Sequence, residues 1–141
     1  MNIYFACSIT GGRDDQHIYQ AIVNALLDDD HDVPTAILAT PQAMMLEGII
    51  EPDEVYRRDV NWINGCDLLI AEVSTPSHGV GYEIGHALSL NKPVLCLYRQ
   101  GVKVSKMILG NLDENLIVRA YQNPDEAVSI MRTTLRELTE G

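Results

Sequence analysis

The feature that most constrains this chain is its regular alternation of short apolar runs with longer amphipathic stretches. Apolar runs of roughly four to eight residues bounded by turn residues are typical of buried strands, and apolar residues recurring at three- and four-residue spacing are typical of helices. The predicted strands cover residues 2–7, 33–39, 67–73, 94–98 and 115–121. The predicted helices cover residues 14–28, 52–65, 79–91 and 124–138, with one further helical turn within 99–111.

This order of elements predicts an α/β fold, because strands that alternate with helices form parallel sheets. We expect a doubly wound, mostly parallel five-stranded sheet of the Rossmann or flavodoxin-like class, with helices on both faces. The chain has 141 residues, of which 46% are hydrophobic, and this predicts one domain over residues 1–141. Such sheets bind ligands beyond the carboxyl ends of their strands, so the segments 8–12, 74–83 and 99–106 are the candidate site.

Charge and cysteine content exclude several classes of function. The formal net charge of -10 disfavours binding to a nucleic-acid polymer or to an acidic membrane surface, but it leaves a small anionic ligand possible. The three cysteines form no CxxC pair and the four histidines have no metal-ligand spacing, so we predict neither a metal nor another cofactor. Without a basic leader or a run of roughly 18 apolar residues, the chain is expected to be cytoplasmic.

Asp59 is a carboxylate on the inward face of a predicted helix. On a helical wheel it lies between Val55 and Ile63 and close to Trp62. It is either an acid at the margin of the core that pairs with an arginine or caps a loop, or a partly desolvated acid with a raised pKa that faces a cleft.

The run from Gly79 to Gly85, GVGYEIG, opens the helix that follows the third predicted strand. Its glycines allow a ligand to approach the backbone, and a helix N-terminus beside Ser77 suits a phosphate. The spacing departs from the dinucleotide fingerprint, which needs GxxG at its end. Glu83 is expected in the first helical turn, where its ionised form is favoured; it is either a nucleophile or an acid that only stabilises the helix.

Three further residues have both structural and functional interpretations. Tyr4 lies inside the first strand and is either core or a hydroxyl aimed at the site. Ser8 either caps the following helix or donates to a ligand. Glu72 ends the third predicted strand, where it is either solvated or part of the crevice wall.

Taken together, these motifs resemble a known family. The segments IYFACSITGGRDD, RRDVNWINGCDLLIAEVSTPSHGVGYEIGHAL and SKMILG are similar to the 2'-deoxynucleoside 5'-phosphate N-hydrolases, a branch of the nucleoside 2-deoxyribosyltransferase superfamily. The resemblance covers nearly the whole chain except about 30–52. It implies hydrolysis of the N-glycosidic bond of a small deoxynucleotide by a homodimer, through a covalent glycosyl-enzyme.

The resemblance also implies roles for individual residues. Glu83 matches the nucleophile, Asp59 the acid that assists departure of the base or orients the sugar, and Tyr4 a tyrosine beside the nucleophile. The residues matched to substrate binding are Ser8, Ile9, Gly11, Gly12, Ser77, Gly79, Gly81 and Ser105. Ser105 matches a serine that reaches the phosphate from the neighbouring subunit. Thr10 stands where the family usually has an arginine, so one cationic contact is missing.

Two rival functions follow from the same residues. A transferase relative passes the deoxyribosyl group to a second base, and the serines around the predicted helix N-terminus favour the hydrolase because they suit a phosphorylated substrate. A nucleotide sensor on the same sheet binds nucleotide without releasing free base.

Overall fold

The computed structural model of the chain describes residues 1–9 and 15–141. Its sheet contains four parallel strands in the order β1-β2-β3-β4. The strands are β1 Ile3–Ala6, β2 Leu68–Glu72, β3 Val94–Arg99 and β4 Leu116–Tyr121. The α-helices are α1 Gln16–Asp28, α2 Ala43–Gly48, α3 Pro52–Gly65, α4 His78–Ser89, α5 Lys106–Leu109 and α6 Pro124–Glu140. The α/β class and the parallel sheet are therefore confirmed.

The prediction of a fifth strand at 33–39 is wrong, because the chain turns into a 3₁₀ helix over Ala36–Ala39. Asn2 and Asp32 form one isolated parallel bridge, after which Pro34 has no N–H to extend a ladder. The side chain of Thr35 then takes the place of a strand: its hydroxyl oxygen accepts the Phe5 backbone N–H at 3.0 Å.

Helices cover both faces of the sheet, as predicted. One core cluster packs β1 and α1 with α6, and it includes Ile3 and Phe5. The other packs the opposite face against α3 and α4, and it includes Tyr4 and Ile84. Because side chains alternate along a strand, Ile3 and Phe5 point to α1 while Tyr4 points to α4. The alternation in β1 therefore directs one tyrosine hydroxyl towards the helix that carries Glu83.

A buried carboxylate fixes the turn between β2 and α4. Glu72 is 0% exposed and accepts the Ser74 backbone N–H at 2.6 Å, the Ser74 hydroxyl at 3.0 Å and the hydroxyl of Tyr121. Ser74 in turn accepts the Arg99 N–H at 2.8 Å, so the ends of β2, β3 and β4 are joined. Burial raises the pKa of Glu72, and the hydrogen bonds from Tyr121 and Ser74 oppose that effect. Within the described residues, no helix is long and apolar enough to cross a membrane.

Removing the Tyr121 hydroxyl tests this network. We expect Tyr121→Phe to lower the free energy of unfolding by about 1–3 kcal/mol, because Glu72 stays buried with one donor fewer. Urea denaturation measures the change. Tyr98→Phe on β3 is the matched control, since the Tyr98 hydroxyl makes no hydrogen bond within the described part of the chain. Equal losses in the two variants would contradict the proposed contribution.

Candidate active site

A cavity of about 300 Å³ lies between α3 and α4. Its lining residues are Tyr56, Asp59, Val60, Ile63, Gly79, Tyr82 and Glu83. The two carboxylates that the sequence places on separate helices therefore line one cavity. A pair of acids that share a partly desolvated space is an arrangement typical of glycosidic bond cleavage.

Glu83 lies deeper in α4 than the sequence suggested. The helix begins at His78, and Ser77 caps it by accepting the Val80 N–H at 3.3 Å, so Glu83 falls in the second turn. The expectation that the helix N-terminus favours the ionised form of Glu83 is therefore wrong, because that potential falls off within the first turn. Burial dominates instead and raises the pKa of Glu83 to about 8.

Tyr4 holds one oxygen of this carboxyl group. The tyrosine is 1% exposed, and its hydroxyl donates to Oε2 of Glu83. The other oxygen, Oε1, lies beside Gly79: a Cβ atom placed on that glycine would be 3.9 Å from Oε1 and 4.0 Å from the Ser77 hydroxyl oxygen. The absence of a side chain at Gly79 leaves open space between the carboxyl group and the serine.

Asp59 combines both of its predicted environments. Its side chain is only 19% exposed, and burial is the main reason that its pKa is raised. Arg58 opposes this shift in pKa, because its Nε donates to Oδ1 of Asp59 at 2.9 Å. The Nη2 atom of Arg58 also donates to Oε1 of Glu47 at 2.8 Å. The sequence analysis did not single out Arg58 or Glu47. The RRD run was a signal for Arg58, but Glu47 lies between the predicted strand 33–39 and the predicted helix 52–65, where the pattern predicts no element.

A second, larger cavity of about 860 Å³ lies between α4 and the segment 103–111. It brings together three of the residues matched to substrate binding, namely Ser77, Gly81 and Ser105. Lys103 and Lys106 also line it, whereas none of its lining residues in the described chain is a carboxylate. In a chain with a net charge of -10, this cavity is locally positive. Tyr82 lies in the wall of both cavities.

The glycine loop after β1 is only partly described. Ser8 is 0% exposed, Ile9 is half-buried, and neither lines the two cavities above. Thr10, Gly11 and Gly12 lie outside the described residues. Asp15, which follows them, is 2% exposed and pairs with Arg99.

Within the described residues, the molecule is an α/β protein with a carboxylate pair between two helices on one face of a parallel sheet. Comparison with known proteins identifies the family to which this fold belongs. The family model of nucleoside 2-deoxyribosyltransferase matches residues 3–128. The chain therefore belongs to the nucleoside 2-deoxyribosyltransferase family.

Two curated relatives and one solved structure are similar to the chain. A Danio rerio 5-hydroxymethyl-dUMP N-hydrolase is 37% identical over 143 residues, covering 100% of both chains. A Methanosarcina mazei protein named for 2'-deoxynucleoside 5'-phosphate N-hydrolysis is 39% identical over 137 residues, covering 97% of this chain and 85% of that one. The structure of a Clostridium botulinum CMP N-glycosidase aligns with a TM-score of 0.69 at 20% identity, covering 92% of this chain and 97% of that one. At this identity the structural likeness supports the fold alone.

The raised pKa of Glu83 predicts a pH-dependent stability. Because the folded-state pKa is about 8 and the ordinary value is 4.5, the folded chain binds this proton more tightly than the unfolded chain. The stability that the proton contributes is fully present below the unfolded-state pKa and is lost as the pH rises through the folded-state pKa. We expect Glu83→Gln, which cannot ionise, to match the wild-type Tm at about pH 4 and to exceed it at about pH 9. Differential scanning calorimetry measures both.

The control for this experiment removes an exposed carboxylate. Glu137 lies on the outer face of α6 and is exposed. If Glu137→Gln gave as large a gain in Tm at the higher pH, the gain could not be attributed to the burial of Glu83.

Proposed function

We propose that this chain hydrolyses the N-glycosidic bond of a 2'-deoxynucleoside 5'-monophosphate, releasing the free base and 2-deoxyribose 5-phosphate. The observation that carries the proposal is the shared cavity of Glu83 and Asp59, with Tyr4 bonded to Glu83. The relatives from Danio rerio and Methanosarcina mazei are both named as N-hydrolases of deoxynucleotides, and these names support the same reaction class.

Glu83 acts as the nucleophile in two displacements. In the first, a carboxylate oxygen bonds to the anomeric carbon of deoxyribose, and the bond from that carbon to the base nitrogen breaks. The bonding electron pair leaves with the base, which takes up one proton from Asp59 or from water. In the second, water bonds to the anomeric carbon, the ester to Glu83 breaks, and the proton of the water is released. Two inversions give net retention.

Ionisation of Glu83 controls the first displacement. Only the carboxylate form is a nucleophile, and burial favours the neutral form. The hydroxyl of Tyr4 donates to Oε2, which stabilises the charged form and leaves Oε1 facing the space beside Gly79. Tyr4 therefore both orients the nucleophile and offsets part of the cost of burying its charge.

The larger cavity is proposed to hold the 5'-phosphate. Within one subunit Ser77 supplies a hydroxyl donor and Lys103 supplies positive charge, and the second subunit of the dimer is proposed to add its own Ser105 and Lys106. These lysines offset the arginine that the resemblance leads us to expect where Thr10 stands. Tyr82 lines both cavities, and Gly79 in the smaller one lies beside Ser77 of the larger one, so a nucleotide with its sugar beside Glu83 can extend its phosphate towards Ser77.

A second copy of the chain is proposed to complete this site. Exposed apolar side chains surround the larger cavity, including Met107 at 85% exposure and Leu112 at 95%. Covering such a patch is the usual driving force for a closed symmetric dimer. In that homodimer Ser105 reaches the phosphate of the neighbouring subunit. The three free cysteines, all buried, suit a reducing compartment, so we place the enzyme in the cytoplasm.

Removal of the nucleophile tests the reaction. We expect Glu83→Ala to release no free base from deoxynucleoside monophosphates while keeping its Tm within a few degrees of the wild type. A chromatographic screen of ribo- and deoxynucleoside monophosphates, with and without the phosphate, measures release and selectivity together. Substantial turnover by the variant would overturn the role of Glu83.

The same screen separates the rival functions. The family model is named for a transferase, so base exchange is the second candidate. A new nucleoside formed in the presence of a competing free base would establish the transferase. If the wild type bound nucleotide saturably but released no free base over hours, both enzymatic functions would be excluded and the protein would be a nucleotide sensor.

Mixed dimers test whether Ser105 acts across the interface. One protomer carries Glu83→Ala, and the other carries Ser105→Ala with Lys106→Gln. If Ser105 acts in the neighbouring subunit, each mixed dimer contains one complete site and should recover about half of the wild-type activity. Purification through two different affinity tags isolates these dimers. If the residues act within their own subunit, no complete site forms and the activity stays at the level of the separate variants.

A further inference from the structure

The guanidinium group of Arg58 is held from three sides at the edge of the smaller cavity. Its Nη2 donates to Glu47 of α2 at 2.8 Å, and its Nε donates to Asp59 at 2.9 Å. The central guanidinium carbon, Cζ, lies 5.0 Å from the centre of the Trp62 ring. The side chain is 23% exposed and that of Glu47 is 14% exposed. A planar guanidinium fixed by a carboxylate and an aromatic ring has little freedom to rotate.

This arrangement controls the orientation of Asp59. The Nε–H of Arg58 can donate only along its own axis, and it meets Oδ1 of Asp59. Oδ2 of Asp59 is then the oxygen left for other partners. Asp59 lines the cavity that contains Glu83, so fixing one of its oxygens also fixes how the carboxyl group faces a ligand there.

From this geometry we propose that Arg58, held by Glu47, is a positioning residue that directs the carboxyl group of Asp59 at the substrate. The inference rests on the proposed function and deepens it. Paired with Arg58, the Asp59 carboxylate accepts a hydrogen bond from a sugar hydroxyl of the substrate. Of the two proton sources given above for the departing base, water is then the one used. Arg58 itself touches no reacting atom.

The titratable groups around Asp59 come from three helices. Arg58 on α3 and Glu47 on α2 act on it directly, and Tyr56 on α3 and Tyr82 and Glu83 on α4 line the same cavity. Burial raises the pKa of Asp59, the charge of Glu47 adds to that effect, and the hydrogen bond and charge of Arg58 lower it. Removing Arg58 and removing the charge of Glu47 should therefore move the pKa of Asp59 in opposite directions.

Titration of Asp59 by carbon-13 NMR of its carboxyl group tests this without any turnover. We expect Arg58→Met to raise the pKa of Asp59. We expect Glu47→Gln to lower it, because the amide oxygen still accepts from Arg58 but carries no charge. The signal is assigned by its loss in Asp59→Asn. No movement in either variant, or movement in the same direction in both, would overturn the proposal.

Kinetics test the positioning. We expect Arg58→Met to lower kcat/KM by roughly 10- to 100-fold, because a displaced carboxylate no longer aligns the substrate. Arg58→Lys should recover only part of this loss, since an ammonium lacks the planar fork. Arg57→Met is the matched control: Arg57 is the neighbour on α3, it is 66% exposed, and it pairs only with Asp53 at 3.4 Å within the described residues. It should leave kcat/KM unchanged.

A double-variant cycle separates positioning from a merely structural role. In an Asp59→Asn background, Arg58→Met should cost no more than roughly 2-fold, because its effect passes through Asp59. An equal loss in both backgrounds, or an equal loss in Arg57→Met, would overturn the proposal. Failure of the proposed function is distinguishable, since it would appear as base release by Glu83→Ala while the NMR titration still reports on Arg58.

Discussion

The parallel direction of all four described strands is the constraint on which the rest of this structure depends. Each of the four strands ends at the same edge of the sheet, so the turns that follow β2 and β3 lie side by side. The helix after β2 begins at that edge, and α3 packs beside it on the same face. Residues far apart in the chain, such as Tyr4 and Glu83, therefore meet without any long loop.

Two buried acids, Glu72 and Glu83, differ in the hydrogen-bond donors around them. Glu72 accepts hydrogen bonds from Ser74 after β2 and from Tyr121 at the end of β4, and it serves the framework. Glu83 accepts a hydrogen bond from the hydroxyl of Tyr4, and burial raises its pKa to about 8. Once ionised, a carboxylate with so few donors is poorly solvated, which fits the proposed role of Glu83 as a nucleophile. The number of hydrogen-bond donors therefore distinguishes the acid that serves the framework from the acid proposed as the nucleophile.

Much of this architecture could be predicted from local pattern. Pro52 and Gly65 bound α3 as the sequence indicated, because proline at the start and an apolar stripe are local signals. The strand at 33–39 was mispredicted because the competing partner, Thr35 bonding to Phe5, comes from tertiary contact. The turn of α4 that holds Glu83 was misplaced because capping by Ser77 starts the helix at His78. The contact between Arg58 and Glu47 joins two helices, and no periodicity reports such a pair.

The hydrogen bond from Phe5 to the Thr35 side chain, in place of a fifth strand beside β1, also affects the tendency of the protein to aggregate at high concentration. On β1, the Ile3 N–H donates to the Asp32 carbonyl at 2.8 Å and the Phe5 N–H donates to Thr35 at 3.0 Å. An open sheet margin with free amides recruits strands from other chains and seeds aggregation. Here those amides are already occupied by a segment that is itself curled into a 3₁₀ helix and offers no extended template. The β1 edge of the sheet therefore has these two N–H groups already bonded and cannot use them to pair with a strand of another molecule. The protein avoids edge-to-edge association there without adding a strand to its sheet.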